Sequence, residues 1–245
     1  MIFNDHFSGH AADYERWRPR YPSALFEFLA AQAPGRGRAL DVATGNGQAA
    51  LGLAEHFHSV VATDLSEAQL EHAAPHPRVD YRVEPAERIA APDAHYDLVV
   101  AAQAAHWFDL ERFYAEVRRV LEPGGVVALW TYGKFRAGGE VDRALDDFYR
   151  DVVGHCWPRE RRHVETGYRS LQFPFDEIEA PPFELVTRWP LSTAISYVGT
   201  WSAVQRYRAF NDRDPLVILR ELLEPLWGRE DRELHWPVHL RIGRA

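Results

Sequence analysis

The chain has 245 residues, 46% of them hydrophobic, enough to bury the core of one large domain and too many for a disordered segment. Its formal net charge of −8 argues against a duplex nucleic acid as partner, because such a partner wants a basic footprint. A single cysteine, Cys156, excludes an intrachain disulfide and fits a reducing compartment. With no charged-then-apolar leader and no apolar run near the length of a membrane span, a cytoplasmic protein without a membrane partner is expected.

The first half alternates strand and helix. Ala39 to Ala43 reads as a strand and Gln48 to His56 as a helix. Val60 to Asp64 is a strand, and Ser66 opens a helix with a Ser-x-x-Gln capping box completed by Gln69. Val79 to Val83 is a short strand, and Tyr96 to Ala101 is a continuous apolar run, as in a strand covered on both faces. Leu110 to Leu121 carries apolar residues at 110, 113, 117, 120 and 121, a helix face. Pro123-Gly124-Gly125 breaks the chain before a strand at Val126 to Thr131. Strands separated by helices imply parallel pairing through right-handed crossovers.

Past Tyr132 the pattern changes. Val141 to Val153 reads as a helix, the polar Arg159 to Ser170 and the Pro-rich Phe173 to Pro182 as loop or lid, and Phe183 to Trp189 as a strand. Tyr197, Val198, Trp201, Val204 and Arg208 share one helical face. Asp214-Pro215 caps a helix through Leu226, and Leu234 to Ile242 alternates like a final strand. The expected fold is α/β and Rossmann-like. It has a mostly parallel seven-stranded sheet, helices on both faces and added helices capping the carboxyl edge. The expected organisation is a single domain over 1–245, with an N-terminal helical cap at 1–36 and a cofactor-binding core at 37–132. Residues 133–245 complete the sheet and supply substrate-capping helices.

The most informative segment is ArgAlaLeuAspValAlaThrGlyAsnGlyGln, Arg38 to Gln48. An apolar strand runs into Asp41, then into a turn holding Gly45 and Gly47, and a helix follows at once. Gly45-x-Gly47-x-x-Ala50 also satisfies the relaxed dinucleotide fingerprint, so a nicotinamide-dependent oxidoreductase is the alternative enzyme. A pyrophosphate, however, wants an uncluttered positive helix N-terminus, and Asp41 at the strand tip repels phosphate while attracting a cation such as an ammonium. Asp64 lies 23 residues further on, where a carboxylate can accept from both hydroxyls of a ribose. The ligand that suits both acids carries a ribose and a cation but no phosphate, and S-adenosylmethionine has those properties.

Further motifs stand beside this turn. They are AlaThrAspLeuSer (Ala62 to Ser66), Pro85-Ala86-Glu87, GlnAlaAlaHisTrpPhe (Gln103 to Phe108) and LeuGluProGlyGly (Leu121 to Gly125). With them and with TyrGluArgTrpArgProArgTyrPro (Tyr14 to Pro22), the chain resembles the class I S-adenosylmethionine-dependent methyltransferases. The resemblance is to the small-molecule type related to trans-aconitate methyltransferases, and it reaches TrpSerAlaValGlnArgTyr (Trp201 to Tyr207). Ala43-Thr44 stands where the family more often has Gly-Cys or a similar small pair.

That resemblance implies a cofactor site. The turn through Ala43, Thr44, Gly45 and Gly47 passes its backbone under the methionine part. Asp64 binds the ribose and Leu65 packs on the adenine, while Ala86 and Glu87 edge the ring. Gln103 lines the site near the methionine group. Tyr14 and Arg18 close over it, Arg18 on the methionine carboxylate. Glu87 has a second reading as a helix-start acid, and Arg18 as a surface ion pair.

His106, just past a strand tip, is the candidate catalytic base, with a packing pair beside Trp107 as its alternative. Trp107, Tyr132, Tyr197 and Trp201 suit an apolar substrate pocket, though aromatics are also ordinary core, and Arg206 with Arg18 points to an acidic acceptor. The expected reaction is methyl transfer to a small metabolite, on oxygen. A cofactor-binding protein without turnover is the non-enzymatic alternative. No metal is expected, because the close histidine pairs lack a neighbouring third ligand, and the pattern assigns no oligomeric state.

Overall fold

The computed structural model describes residues 19–245, so Tyr14 and Arg18 lie outside the described residues. The elements in chain order are α1 (Ser23–Gln32), β1 (Arg38–Val42), α2 (Gln48–Ala54), β2 (Ser59–Asp64), α3 (Glu67–Leu70), β3 (Val79–Val83) and β4 (Tyr96–Ala102). A 3-10 turn at Ala105–Trp107 leads to α4 (Leu110–Val120) and β5 (Leu121–Thr131). There follow α5 (Gly139–Asp147), α6 (Arg161–Glu165), β6 (Asp176–Glu177), β7 (Phe183–Trp189), α7 (Leu191–Gly199), α8 (Ser202–Phe210), α9 (Pro215–Trp227) and β8 (Arg232–Arg244).

Among the described residues the strands form an eight-stranded sheet. Seven of them follow one path, β3-β2-β1-β4-β5-β8-β6, and β7 pairs with β8 off it. The pairings from β3 to β5 are parallel, and β8 runs antiparallel to both β5 and β6. This is the mostly parallel α/β architecture expected from the sequence. Local chemistry sets the helix starts. The Asp109 side chain accepts from the Arg112 N–H at the head of α4, Ser66 Oγ from the Gln69 N–H at α3, and Asp214 from the Leu216 N–H at α9. On α4, Phe113, Tyr114, Val117 and Val120 turn inward, Glu111 sits in the first turn, and Arg118 and Arg119 sit in the last, complementing the dipole.

Several expectations need correction. The strand expected from Val126 begins at Leu121 and carries Pro123-Gly124-Gly125 inside it. A register shift absorbs them: Tyr96 pairs with Leu121 and Leu98 with Val126, and Gly124 takes φ +77°. A bulge tolerates a residue without an N–H and a left-handed glycine. The supposed lid at 159–170 holds α6 and buries Val164 and Tyr168, a pattern too sparse to show as a period. The single face from Tyr197 to Arg208 is split between α7 and α8. At the break, Thr200 Oγ1 donates to the Tyr197 carbonyl at 2.7 Å, competing with helix continuation. The helix expected over 141–153 ends at Asp147 and gives way to a π turn, Phe148–Val152.

The described residues divide into two compact units. One comprises 20–133, 162–184 and 237–245 and contains β1 to β6. In its core Leu40, Val42, Val99 and Ala101 of the central strands pack with Phe113, Tyr114, Val117, Tyr168 and Leu171. The other comprises Pro19 with 134–161 and 185–236. Its core is aromatic: Tyr197 and Trp236 meet with ring centroids 5.4 Å apart, Phe135 lies 5.7 Å from Trp236, and the buried Trp236 indole N–H donates to Tyr197 Oη at 3.0 Å.

Candidate cofactor and acceptor site

In an open parallel sheet, ligands lie outside the carboxyl ends of the strands where the order reverses. Here the order reverses between β1 and β4. Asp41 stands near the carboxyl end of β1, paired in register with Ala62 and Val100. The turn that follows is left-handed at Ala43 (φ +56°), Gly45 (+58°) and Gly47 (+86°). Gly47 is required twice over, since a Cβ there would also come within 3.0 Å of the Tyr81 ring. Ala43 occupies a conformation that glycine adopts at lower cost, which gives its departure from the family pattern a structural meaning.

Asp41 is fully buried. Its Oδ2 accepts from Thr44 Oγ1 at 2.5 Å, while Oδ1 is buried with no hydrogen-bond partner among the described residues. Burial pushes its pKa up to about 7; the Thr44 hydroxyl and the Ala50 amide oppose that rise, and the Asp64 charge adds to it. Such a carboxylate is completed by a cation, so the pocket fits an ammonium-bearing ligand and repels a phosphate.

Asp64 ends β2 and ties the two glycine-side loops together. Its Oδ2 accepts from the Gly45 N–H at 2.8 Å and its Oδ1 from the Ser66 N–H at 2.9 Å. An ionised carboxylate has about four acceptor positions and is the kind of acceptor that hydroxyl donors seek. Leu65, next to it, leaves 41% of its surface exposed, an apolar side chain offered at the strand tip. Ala86 is buried against the core. Glu87 Oε1 accepts from the Asp109 N–H at 3.0 Å, so this carboxylate props the head of α4.

Gln103 follows β4 at φ +58° and lies against the end of β5. Its Nε2 donates to the Tyr132 carbonyl at 3.1 Å, and its Oε1 accepts from the Tyr132 N–H and the Thr131 hydroxyl. This fixes the two central strand ends, and with them the buried Tyr132. His106 and Trp107 lie in the 3-10 turn beyond, half-buried, with ring centroids 4.8 Å apart. His106 Nδ1 is 2.9 Å from Tyr168 Oη.

Asp41, Ala43, Thr44, Gly45, Gly47, Asp64, Leu65, Ala86, Glu87, Gln103, His106, Trp107 and Tyr132 thus belong to the sheet unit. Tyr197, Trp201 and Arg206 belong to the other unit. There Tyr197 is core, and Trp201 is buried with its ring centroid 5.7 Å from those of Tyr149 and Trp157. Cys156 is buried and its thiol pKa is raised by that burial, which keeps it an inert thiol. The residues missed from the sequence are Thr131 and Tyr168. Tyr168 sat in a segment read as polar, and only its neighbour Gly167 signalled a tight turn.

This fold, with its glycine turn at the β1/β4 switch point, is that of an α/β enzyme of the Rossmann-like class. The family model described as a methyltransferase domain matches residues 40–129. A solved structure from Anaeromyxobacter dehalogenans, described as a candidate type II methyltransferase, is 51% identical and superposes with a TM-score of 0.87 over 93% of this chain and 97% of that one. An uncharacterized methyltransferase of Mycobacterium tuberculosis is 37% identical over 69% of this chain and 74% of its own length. A malonyl-[acyl-carrier protein] O-methyltransferase of Geobacter sulfurreducens is 31% identical over 72% and 73%. The chain belongs to the class I S-adenosylmethionine-dependent methyltransferases. Among its described residues no helix is long and apolar enough to cross a membrane.

Proposed function

We propose that this enzyme methylates an oxygen of a small metabolite, as a relative of the trans-aconitate methyltransferases, with the chain working as one methyltransferase domain in the cytoplasm. The observation that carries the reading is His106, held just beyond β4 in the same unit as the Asp41 to Gly47 turn. The Geobacter sulfurreducens relative is named for transfer to oxygen, which agrees with it.

When bound, S-adenosylmethionine supplies an already activated methyl group, so the protein's work is placement and exclusion of water. Asp41 offers its buried carboxylate to the cofactor's ammonium. Asp64 keeps the Gly45 loop in place and accepts from the ribose hydroxyls. Leu65 and Ala86 flank the adenine, with the Glu87 backbone at its edge. Gln103 aligns the ends of β4 and β5 beneath the methionine group. The acceptor meets His106 with Trp107 and Tyr132. Tyr14 and Arg18 are assigned the role of closing the site, Arg18 on the methionine carboxylate.

Calorimetry with S-adenosylhomocysteine, followed by a mass-spectrometric acceptor panel, tests this reading. Binding plus an ester or ether product supports it. Binding with only N-methylated products would move the acceptor atom to nitrogen, and absence of binding would remove the cofactor site altogether.

A further inference from the structure

We infer that Thr44 is a positioning residue whose hydroxyl holds Asp41 as an ionised, oriented carboxylate, so that a side chain of the glycine turn, and not its backbone alone, sets how tightly the cofactor's ammonium is held. This rests on the proposed meeting of Asp41 with that ammonium and names the residue that prepares it.

The turn fixes where Thr44 can reach. Its N–H donates to the carbonyl of Thr63 on β2 at 2.8 Å, and its carbonyl accepts from the Gly47 N–H at 3.1 Å. Held from both sides, it places Oγ1 2.5 Å from Asp41 Oδ2. The amides around it are committed elsewhere: that of Thr44 to Thr63, that of Gly45 to Asp64 Oδ2 and that of Gly47 to Thr44 itself. A glycine-rich turn can solvate an anion with its amides. Here those three have other acceptors, and a hydroxyl serves Asp41 instead.

Asp41 needs that donor. It is fully buried, and its Oδ1 has no hydrogen-bond partner among the described residues. A buried carboxylate without donors takes up a proton and becomes neutral. The groups facing Asp41 set that choice. The Thr44 hydroxyl from the turn and the Ala50 amide from α2 favour the charge, while the Asp64 charge at the end of β2 opposes it. Tyr81 faces it from β3; its phenol donates to the Ala74 carbonyl at 3.0 Å and stays neutral, its pKa pushed up to about 12 by burial and by the Asp41 charge. The register partners, Ala62 on β2 and Val100 on β4, are apolar. Burial and Asp64 set against two donors leave the Asp41 pKa at about 7, close to balance, and Thr44 is the larger of the two favourable contributions. A hydroxyl donates more strongly to an ionised carboxylate than to a neutral acid. Removing it tips Asp41 toward the neutral form, which offers an ammonium no charge. With the hydroxyl in place Oδ2 is occupied, and Oδ1 is left as the acceptor for the ammonium.

The test uses the full chain, without and with S-adenosylhomocysteine. In 13C spectra of the cofactor-free protein labelled at its aspartate carboxyls, the Asp41 signal, identified by its loss in Asp41→Asn, should titrate near 7. In Thr44→Val, which keeps the branched shape and removes the hydroxyl, that midpoint should rise by about one pH unit, the equivalent of one charge-assisted hydrogen bond. Thr44→Ser should stay close to the wild type. In calorimetry, Thr44→Val should bind S-adenosylhomocysteine about tenfold more weakly than the wild type at about pH 6, and the two should converge by about pH 9 as both carboxyls ionise. The ligand's own amine titrates alike in both, so the ratio of Kd values isolates Asp41. In an Asp41→Asn background, Thr44→Val should add no pH dependence. An Asp41 titration in Thr44→Val that matches the wild type, a Kd ratio flat across pH, or Thr44→Ser behaving like Thr44→Val overturns the inference. Asp41→Asn binding with the wild-type Kd and pH profile overturns it through its premise, the ammonium at Asp41, whereas no binding by the wild type removes the cofactor site itself.

Discussion

Replacing Asp41 with asparagine removes a buried charge and keeps its shape. The wild-type carboxyl titrates near 7 in the folded protein against 3.8 when unfolded, because burial disfavours its charge. A folded acid with a raised pKa binds its proton more tightly than the unfolded chain does. Stability is therefore fullest at low pH, falls as pH rises from about 4 to about 7, and levels off above that. A rise from 3.8 to about 7, at about 1.4 kcal/mol per pH unit, comes to roughly 4 kcal/mol in full, of which roughly 2–3 kcal/mol falls between pH 5 and pH 8. A side-chain amide does not titrate, so in urea melts of the cofactor-free protein the Asp41→Asn variant should gain roughly that 2–3 kcal/mol on the wild type over the same interval. This difference is insensitive to any constant penalty from an unpaired amide. The same charge should reappear on binding: near neutral pH, S-adenosylhomocysteine should expel a proton from the wild type and less from Asp41→Asn, read by calorimetry in buffers of different ionisation enthalpy. Parallel pH–stability curves for the two proteins, with equal proton release, would refute the reasoning.

Asp64→Ala removes the acceptor for the Gly45 and Ser66 amides as well as the carboxylate proposed for the ribose, so S-adenosylhomocysteine affinity should fall by about 2–4 kcal/mol in calorimetry. Gly47→Ala should destabilise the chain by more than the roughly 1–2 kcal/mol of left-handed strain, because its Cβ meets the Tyr81 ring; adding Tyr81→Phe should restore part of the loss in thermal melts. Tyr197→Phe leaves the buried Trp236 indole N–H without its Tyr197 acceptor and should cost about 1–3 kcal/mol in urea unfolding.

Much of the sheet unit was legible because its signals are local. The strand at Val79–Val83 and the caps at Ser66 and Asp214 are written in residues a few positions apart. So are the left-handed glycines at Gly45 and Gly47. The places of Asp41 and Asp64 near the ends of β1 and β2 could be read in the same way. The second half was harder. Its apolar residues satisfy a helical period across 197–208, but the hydroxyl of Thr200 ends one helix where periodicity would run on.

An alternating α/β chain with a glycine turn between two acids is already written in the order of residues, because hydrophobic period, caps and left-handed residues act over a single turn of backbone. What those residues are bonded to emerges only on packing. Glu87 is spent on the Asp109 amide and Gln103 on the end of β5. The bulge starts β5 at Leu121. Tyr168, in a stretch that reads as polar surface, reaches His106 only because α6 and Arg241 hold its strained turn against the sheet unit's core. A hydrogen bond between residues 62 apart leaves no trace in local spacing, since it exists only once the chain between them is packed.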